Sequence, residues 1–462
     1  MNSRLSRRQF LKHSTAAGLG FTVINSSRTA FGYAANDKVN VALIGVSGRG
    51  SWFVKCMPNL ANIVAMCDVN KYRANPVFER FPDARKFKDF REMLAEMGSR
   101  LDAVTIAVPD NTHAVISAAA MKAGKGVLCE KPLTHDVFEA RTLRKIANET
   151  KVATQMGDQG TGSNAFRECV ELVQAGVLGE IREVHAWNTG GGAGERPLPT
   201  DEHELPDYLD YDLWLGPAKY RPYNSRWLQW HTWRDFATGN LGNWACHTMN
   251  LPFKALKLDT FWSPEAAKKD DAPLIHLEVA QSGVHKATFP KWEIVHYHFP
   301  ARGEMPPVTV HWYNGSGKAP GPRDMIEKHI GYKLDWGDAG EKRWADHAGV
   351  VLMGEKASIH STGHNMSYKL LPQDKFKNFE MPPRTLPRSR GHEREWLDAV
   401  KGGPTPMSNF NYSGPLAEFV LLGNVATLVG RDIEYDAAKM EIPNDEQANA
   451  ALRREYREGW SL

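Results

Sequence analysis

The chain has little of what marks a membrane protein, a disulfide scaffold or a nucleic-acid binder. It contains no uninterrupted run of eighteen apolar residues, so nothing in it reads as a bilayer span. Its five cysteines, at 56, 67, 129, 169 and 246, are odd in number and unpaired in spacing. That argues against a disulfide framework and makes buried thiols the reading for most of them. With 57 Lys and Arg against 54 Asp and Glu the formal charge is only +3, which calls for no polyanionic partner. Internal repeats and long low-complexity segments are missing. Two histidine pairs, His296/His298 and His360/His364, come without a third ligand, so no metal is expected. What remains is a globular chain of 462 residues, 42% apolar, with material for two sizeable cores.

The N-terminus stands apart. Ser6-Arg7-Arg8-Gln9-Phe10-Leu11-Lys12 matches the twin-arginine export signature, followed by an apolar stretch, Ala16–Ile24, and small residues at Ala34–Ala35 where a peptidase could cut. Residues 1–35 are therefore expected to be a signal peptide, and the mature protein to be periplasmic or otherwise exported. That route carries folded proteins, which suits one that takes up a cofactor before leaving the cytoplasm.

The rest is organised around Val39–Gly50, Val-Asn-Val-Ala-Leu-Ile-Gly-Val-Ser-Gly-Arg-Gly. Its nearly continuous apolar run reads as a strand buried on both faces of a parallel sheet. Glycines at 45, 48 and 50, with Ser47 at the middle glycine of G-x-G-x-x-G and Arg49 within the turn, let backbone N–H groups approach a pyrophosphate. A second strand, Ile63–Cys67, ends on Asp68, placed to hold a ribose diol. Strand signals at Val104–Val108, Gly126–Cys129 and Val152–Met156 alternate with helical ones at Ala114–Ala123, Phe138–Glu149 and Ala165–Ala175. This repetition predicts a doubly wound parallel sheet, with ligands beyond the carboxyl ends of its strands. The loops Pro109–His113 and Glu130–Pro132 leave that side, together with the glycine turn.

From Ile181 the pattern changes to strands separated by turns: Ile181–Trp187, Ile275–Val279, Trp292–His298, Val308–Trp312, Gly349–Met353 and Ala357–Ser361. The expected class is α/β, an N-terminal Rossmann sheet over 36–157 followed by an α+β domain over 158–462 with an open, mainly antiparallel sheet. Gly315–Trp336 reads as a surface insertion. Helix Arg394–Val400 and the run Leu416–Leu428 are expected to return towards the first domain.

Taken together, Gly45–Gly50, Asp68, Pro109–His113, Glu130-Lys131-Pro132 and Gly239–His247 resemble the Gfo/Idh/MocA family of NAD(P)-dependent oxidoreductases. Leu213–Pro217 and Trp233–Phe236 resemble segments of its secreted, twin-arginine members. The resemblance implies NAD (NADP less so, because Asp68 repels a 2′-phosphate), sugar or cyclitol substrates, and a homodimer or homotetramer. It implies cofactor contacts from the glycine turn, Asp68, Pro109, Asn111, His113, Glu130 and Lys131.

Lys131 follows a buried strand and is held by Pro132, so its ammonium points into the crevice, suited to exchanging a proton with a hydroxyl. Asn243 and His247 are four apart and share a face of a helix. Family members commonly carry aspartate at the Asn243 position; asparagine can orient the imidazole of His247 but adds no charge. His247 is the expected acid/base partner of Lys131. Among the aromatics of Tyr220–Asp235, Trp230, with the neighbouring Arg234, is a candidate for the sugar. Three activities fit: an exported dehydrogenase with tightly held NAD(H), a glycoside-cleaving enzyme working by transient oxidation, or a cofactor-bearing sugar-binding protein without turnover.

Overall fold

The computed structural model describes residues 38–268, 272–315, 326, 347–443 and 445–462; the signal expected in 1–35 and nearly all of the insertion at Gly315–Trp336 lie outside them. Six strands form the first sheet: β1 (Asn40–Ile44), β2 (Asn62–Cys67), β3 (Arg85–Phe87), β4 (Ala103–Ile106), β5 (Gly126–Cys129) and β6 (Thr154–Met156). They are all parallel, in the order β3-β2-β1-β4-β5-β6. Strands β4, β5 and β6 are buried along their whole length; β4 and β5 are accordingly mainly apolar, while β6 buries Thr154 and Gln155 as well. The order reverses between β1 and β4, and that reversal opens a crevice at the carboxyl ends.

One segment differs from the sequence expectation. The helix expected from Ala114 begins at Asp110, with Pro109 at its N-cap, so residues 110–113 are its first, buried turn rather than a loop. A distant contact holds that turn: the Asp110 carboxylate accepts hydrogen bonds from the N–H (3.0 Å) and hydroxyl (2.6 Å) of Thr238. No short-range pattern announces such a partner.

The second sheet has eight strands: β7 (Ile181–Asn188), β8 (Ile275–Gln281), β9 (Glu293–Phe299), β10 (Val308–Asn314), β11 (Ala348–Gly354), β12 (Ser358–Thr362), β13 (Tyr368–Leu371) and β14 (Ile433–Tyr435). Their order is β13-β12-β11-β7-β10-β9-β8-β14, antiparallel except for the β7–β10 pair. Strict alternation of buried and half-buried residues along β9 shows one face turned to the core. That face meets the helix Phe410–Val429, which also packs on the helix Val137–Thr150 of the first sheet. By length and composition Phe410–Val429 could cross a membrane, but it is apolar all round because it is a core helix, 83% buried. The helix His392–Val400 places Trp396 and Leu397 in one cluster with Val41 and Leu43 of β1. The described residues form one contact unit from Lys38 onward.

Two further segments shape the crevice. Residues 208–210 lie along the end of β2, where Lys71 N–H donates to the Tyr208 carbonyl and Asp210 N–H to the Val69 carbonyl. The C-terminal tail is tied down by Arg454, whose guanidinium meets Glu139 at 2.6 Å, and carries Trp460 against Phe90.

Candidate active site

A cavity of about 710 Å³ lies at the carboxyl ends of the first sheet. At one end are Gly45, Ser47, Gly48, Arg49 and Asp68; at the other are Glu130, Lys131, Trp230 and Asn243. The turn leaving β1 is shaped by two glycines. Gly45 has φ +79° and its N–H donates to the Cys67 carbonyl; a Cβ there would lie 2.1 Å from the Ala107 carbonyl oxygen. Gly48 has φ +53° and nothing within 4 Å of where a Cβ would be, so its backbone is laid bare to the cavity. The Asp68 carboxylate accepts from Val46 N–H at 3.0 Å and Asn70 N–H at 2.9 Å, which pins it while each oxygen keeps a lone pair for a ligand. Burial pushes its pKa upward, and these N–H groups work against the rise. Open glycine backbone and a fixed carboxylate in one cavity fit a dinucleotide, with the turn serving the pyrophosphate and Asp68 a ribose diol.

At the other end, Glu130 is buried and its carboxylate accepts from Arg49 Nε at 2.6 Å, which joins the glycine turn to the end of β5. Burial raises the Glu130 pKa, with Arg49 and Lys131 opposing. The Lys131 ammonium donates to both oxygens of Asn243, the backbone carbonyl at 2.9 Å and the side-chain amide oxygen. Asn243 therefore orients Lys131, and its amide is not the group that holds His247. Asn243 sits in a π-helical turn, Leu241–Ala245, that leads directly into His247.

His247 is held from elsewhere. Its Nδ1 is 3.0 Å from Oδ1 of Asp158, and both side chains are almost completely buried. Asp158 comes two residues after β6, at the carboxyl end of the first sheet. Burial raises the Asp158 pKa to about 7, against the pull of His392, His364 and Lys131. Burial also drives His247 well below the usual imidazole range, reinforced by Lys131, Arg49 and His392. The rings of His364 and Trp244 flank His247, with centroids 4.6 and 6.3 Å away. Burial brings the His364 pKa down to about 4, so that ring is neutral near pH 7.

Some expected residues are turned away from the cavity. Asn111 is fully buried and its amide donates to the Leu215 carbonyl, so it anchors the 211–215 helix rather than a ligand. Arg234 donates to the carbonyls of His285 and Thr288 and stacks over Phe289, which uses its donors inside the second half of the chain. His113 lines the cavity, but its ring nitrogens face the carbonyls of Pro132 (2.6 Å) and Val108 (3.0 Å). Burial disfavours charge on that ring, yet Cys129, Asp110 and the Pro132 carbonyl lift its pKa to about 10. Doubly bonded in this way, His113 fixes the Glu130–Pro132 turn. Pro109 lines the wall between the two ends.

Of the aromatic stretch, Tyr223, Trp227 and Trp233 are core and Tyr220 is exposed, whereas Trp230 and His231 stack on each other at 3.6 Å and line the cavity. Of the histidines considered as ligands, His296 meets His311 through their Nδ1 atoms and His360 stacks on Trp187. Among the described residues no group of three or more side chains could hold a metal. Sequence reasoning missed Asp158, Tyr208 and Trp460. Only Asp158 carried a readable signal, its position just beyond a parallel strand.

Comparison with known proteins agrees with this geometry. Residues 39–158 match the Gfo/Idh/MocA description "Oxidoreductase family, NAD-binding Rossmann fold", and residues 165–302 match "Oxidoreductase family, C-terminal alpha/beta domain". Inositol 2-dehydrogenase of Rubrobacter xylanophilus is 34% identical over 158 residues, 33% of this chain and 44% of that protein. Inositol 2-dehydrogenase of Corynebacterium glutamicum (strain R) is 28% identical over 166 residues, 35% of this chain and 48% of that one. The chain spans about half the length, or less, of such curated relatives. Among solved structures, a levoglucosan dehydrogenase in complex with NADH and levoglucosan superposes with TM-score 0.55 at 14% identity, covering 88% of this chain and all of the other. The WlbA dehydrogenase of Bordetella pertussis, in complex with NADH and UDP-GlcNAcA, gives TM-score 0.55 at 14% identity over 86% of this chain and 98% of the other. At that identity the likeness is one of fold. The two family matches are consecutive and together take in more than half of the chain, and the first covers the whole parallel sheet with its glycine turn: the chain belongs to the Gfo/Idh/MocA oxidoreductase family, and its first sheet is an NAD-binding Rossmann domain.

Proposed function

We propose that this protein is an exported oxidoreductase that moves a hydride between tightly held NAD(H) and a hydroxyl or ketone of a sugar or sugar derivative. The observation that carries the reading is one cavity with a dinucleotide-compatible glycine turn at one end and the Lys131 ammonium at the other. The nicotinamide supplies the hydride chemistry when bound. Lys131, held by Asn243, takes the hydroxyl proton during oxidation and returns it during reduction. His247 is the second proton-handling group, and Trp230 offers a ring face to the C–H side of a sugar. Curated relatives named inositol 2-dehydrogenase support a polyol substrate. The open edges of the eight-stranded sheet favour a homodimer or homotetramer.

Retention of the cofactor follows from combining export with this fold. Outside the cytoplasm a released NADH would not be reoxidised by a soluble pool, so the dinucleotide stays bound and the hydride leaves within the same site. The purified protein is expected to carry about one nicotinamide dinucleotide per subunit and to show no dependence on added NAD. Its ultraviolet spectrum, before and after candidate sugars are added, checks this through the band of reduced nicotinamide. An empty apoprotein needing free NAD for every turnover would contradict it. The glycoside-cleaving alternative makes a different mark: a deuterium at the oxidised carbon is retained in the product, whereas in net oxidation it moves to an acceptor.

Export rests on Arg7-Arg8 and the small residues at Ala34–Ala35. Changing both arginines to lysine is expected to leave the precursor in the cytoplasm, read by fractionation and immunoblotting. A double variant that reaches the periplasm in full would remove this part of the proposal.

A further inference from the structure

We propose that Asp158 is the positioning residue of the reaction, holding His247 through Nδ1 so that Nε2 is the basic lone pair of the site. The inference rests on the oxidoreductase reading and deepens it. Three observations carry it. The Oδ1–Nδ1 distance is 3.0 Å, with both side chains buried and one contributed by each half of the chain. The second carboxylate oxygen of Asp158, Oδ2, is buried without a hydrogen-bond partner, and among the described side chains the imidazole is the one bonded to the carboxyl, beside the backbone N–H of Gly160. Asn243, the residue from which an orienting role was expected, is taken up by Lys131.

Backbone contacts fix the ring further. The Asn365 amide donates to the His247 carbonyl, and the N–H of Met249, two residues on, bonds the Ala245 carbonyl. His247 Nε2 has no hydrogen-bond partner among the described residues.

Chemically, one proton lies between Nδ1 and Oδ1. With that proton on nitrogen and the carboxyl ionised, Nε2 is unprotonated and able to accept; a protonated carboxyl would donate to Nδ1 and leave the ring proton on Nε2. A second proton, added as pH falls, goes to Nε2 and removes the base. Burial holds imidazolium formation well below its usual range but raises the Asp158 carboxyl to about 7, so the pair takes up its second proton, and the base is lost, as pH falls through about 7. The groups that face the pair are Lys131 and Arg49 from the first sheet's loops, His392 at the start of its helix and His364 from the β12–β13 loop. Tyr412 of the core helix and Cys246 beside His247 face it as well. The cationic ones oppose a second proton on His247; the Asp158 carboxylate is what allows it. Replacing that carboxylate with an amide therefore moves the acid limb of the activity profile to lower pH. It also admits the wrong tautomer, because an asparagine can donate to Nδ1 as well as accept from it.

The test uses the holoenzyme, wild type, Asp158→Asn and Asp158→Glu, with kcat of sugar oxidation measured across pH and dinucleotide content and melting temperature alongside. Asp158→Asn is expected to lose about a hundredfold or more in kcat, keep its dinucleotide and a cooperative melt, and shift its acid limb downward. Asp158→Glu is expected to recover part of the loss. Adding His247→Asn to Asp158→Asn is expected to cost little more, since the pair acts as a unit. An Asp158→Asn profile that coincides with wild type in rate and in acid limb overturns the proposal, as does a double variant whose losses multiply. Should Asp158→Asn fail to fold, nitrogen-15 imidazole spectra of the wild type decide, the His247 signals being those absent from His247→Asn. A proton on Nδ1 and a bare Nε2 at a pH of about 9, where the carboxyl is ionised, bear the proposal out; an Nε2–H there defeats it. A wild type that oxidises no sugar would defeat the oxidoreductase reading, and the same spectra would still decide the Asp158–His247 pairing.

Discussion

Replacing Lys131 with methionine is expected to lower sugar turnover by about a hundredfold or more while the dinucleotide stays bound. Methionine keeps most of the stem and loses the charge and the titratable nitrogen. The cofactor end of the cavity, with Gly45, Gly48 and Asp68, is untouched, so binding of the dinucleotide has no reason to change. Two acceptors on Asn243 lose their donor, but they border an open cavity where water can replace it, so the cost to stability is small. The measurement is a single-turnover rate of hydride transfer to the bound dinucleotide, with dinucleotide content read from the same sample. Unchanged turnover would move the proton chemistry away from the end of β5. Loss of the dinucleotide along with activity would make Lys131 a cofactor ligand first.

Gly45→Val is expected to empty the site, with less than about a tenth of the wild-type dinucleotide recovered and a lower melting temperature. Two physical costs add. A β-branched residue at φ +79° is strained whatever the space around it. Here there is also no space, since the first side-chain carbon would lie 2.1 Å from the Ala107 carbonyl oxygen. That carbonyl belongs to the segment leaving β4, and Ala107 N–H is itself bonded to Ile44 at the end of β1, so neither strand end can yield alone. Separating them moves the glycine turn relative to Pro109, and with it the wall on which the dinucleotide lies. Dinucleotide released on denaturation, quantified against protein, checks the prediction. Full occupancy would show that the turn tolerates displacement and that affinity is held elsewhere in the cavity.

Short-range pattern was enough for much of this molecule. The apolar runs of β1, β4 and β5, the glycine at 45 and the acid at 68 are local facts, since a strand buried on both faces is apolar throughout and a turn with positive φ needs glycine. Those facts already place the parallel sheet and the cofactor end of the cavity. The alternation in β9 likewise marks a sheet with one covered face. Partner choice was another matter. Asp158 meets His247 across 89 residues and Lys131 meets Asn243 across 112. Asn111 and Arg234 read as ligand-binding residues because of their polarity, yet the fold spends their donors on carbonyls of Leu215, His285 and Thr288. Trp460 reaches the cavity because the tail is anchored, Arg454 to Glu139 and Arg457 to Asp212 and the Gly216 carbonyl. Periodicity records which face of an element is buried, and turn chemistry records what the backbone must do. Neither records which distant polar group will satisfy a buried one, because that depends on how the two sheets close on each other.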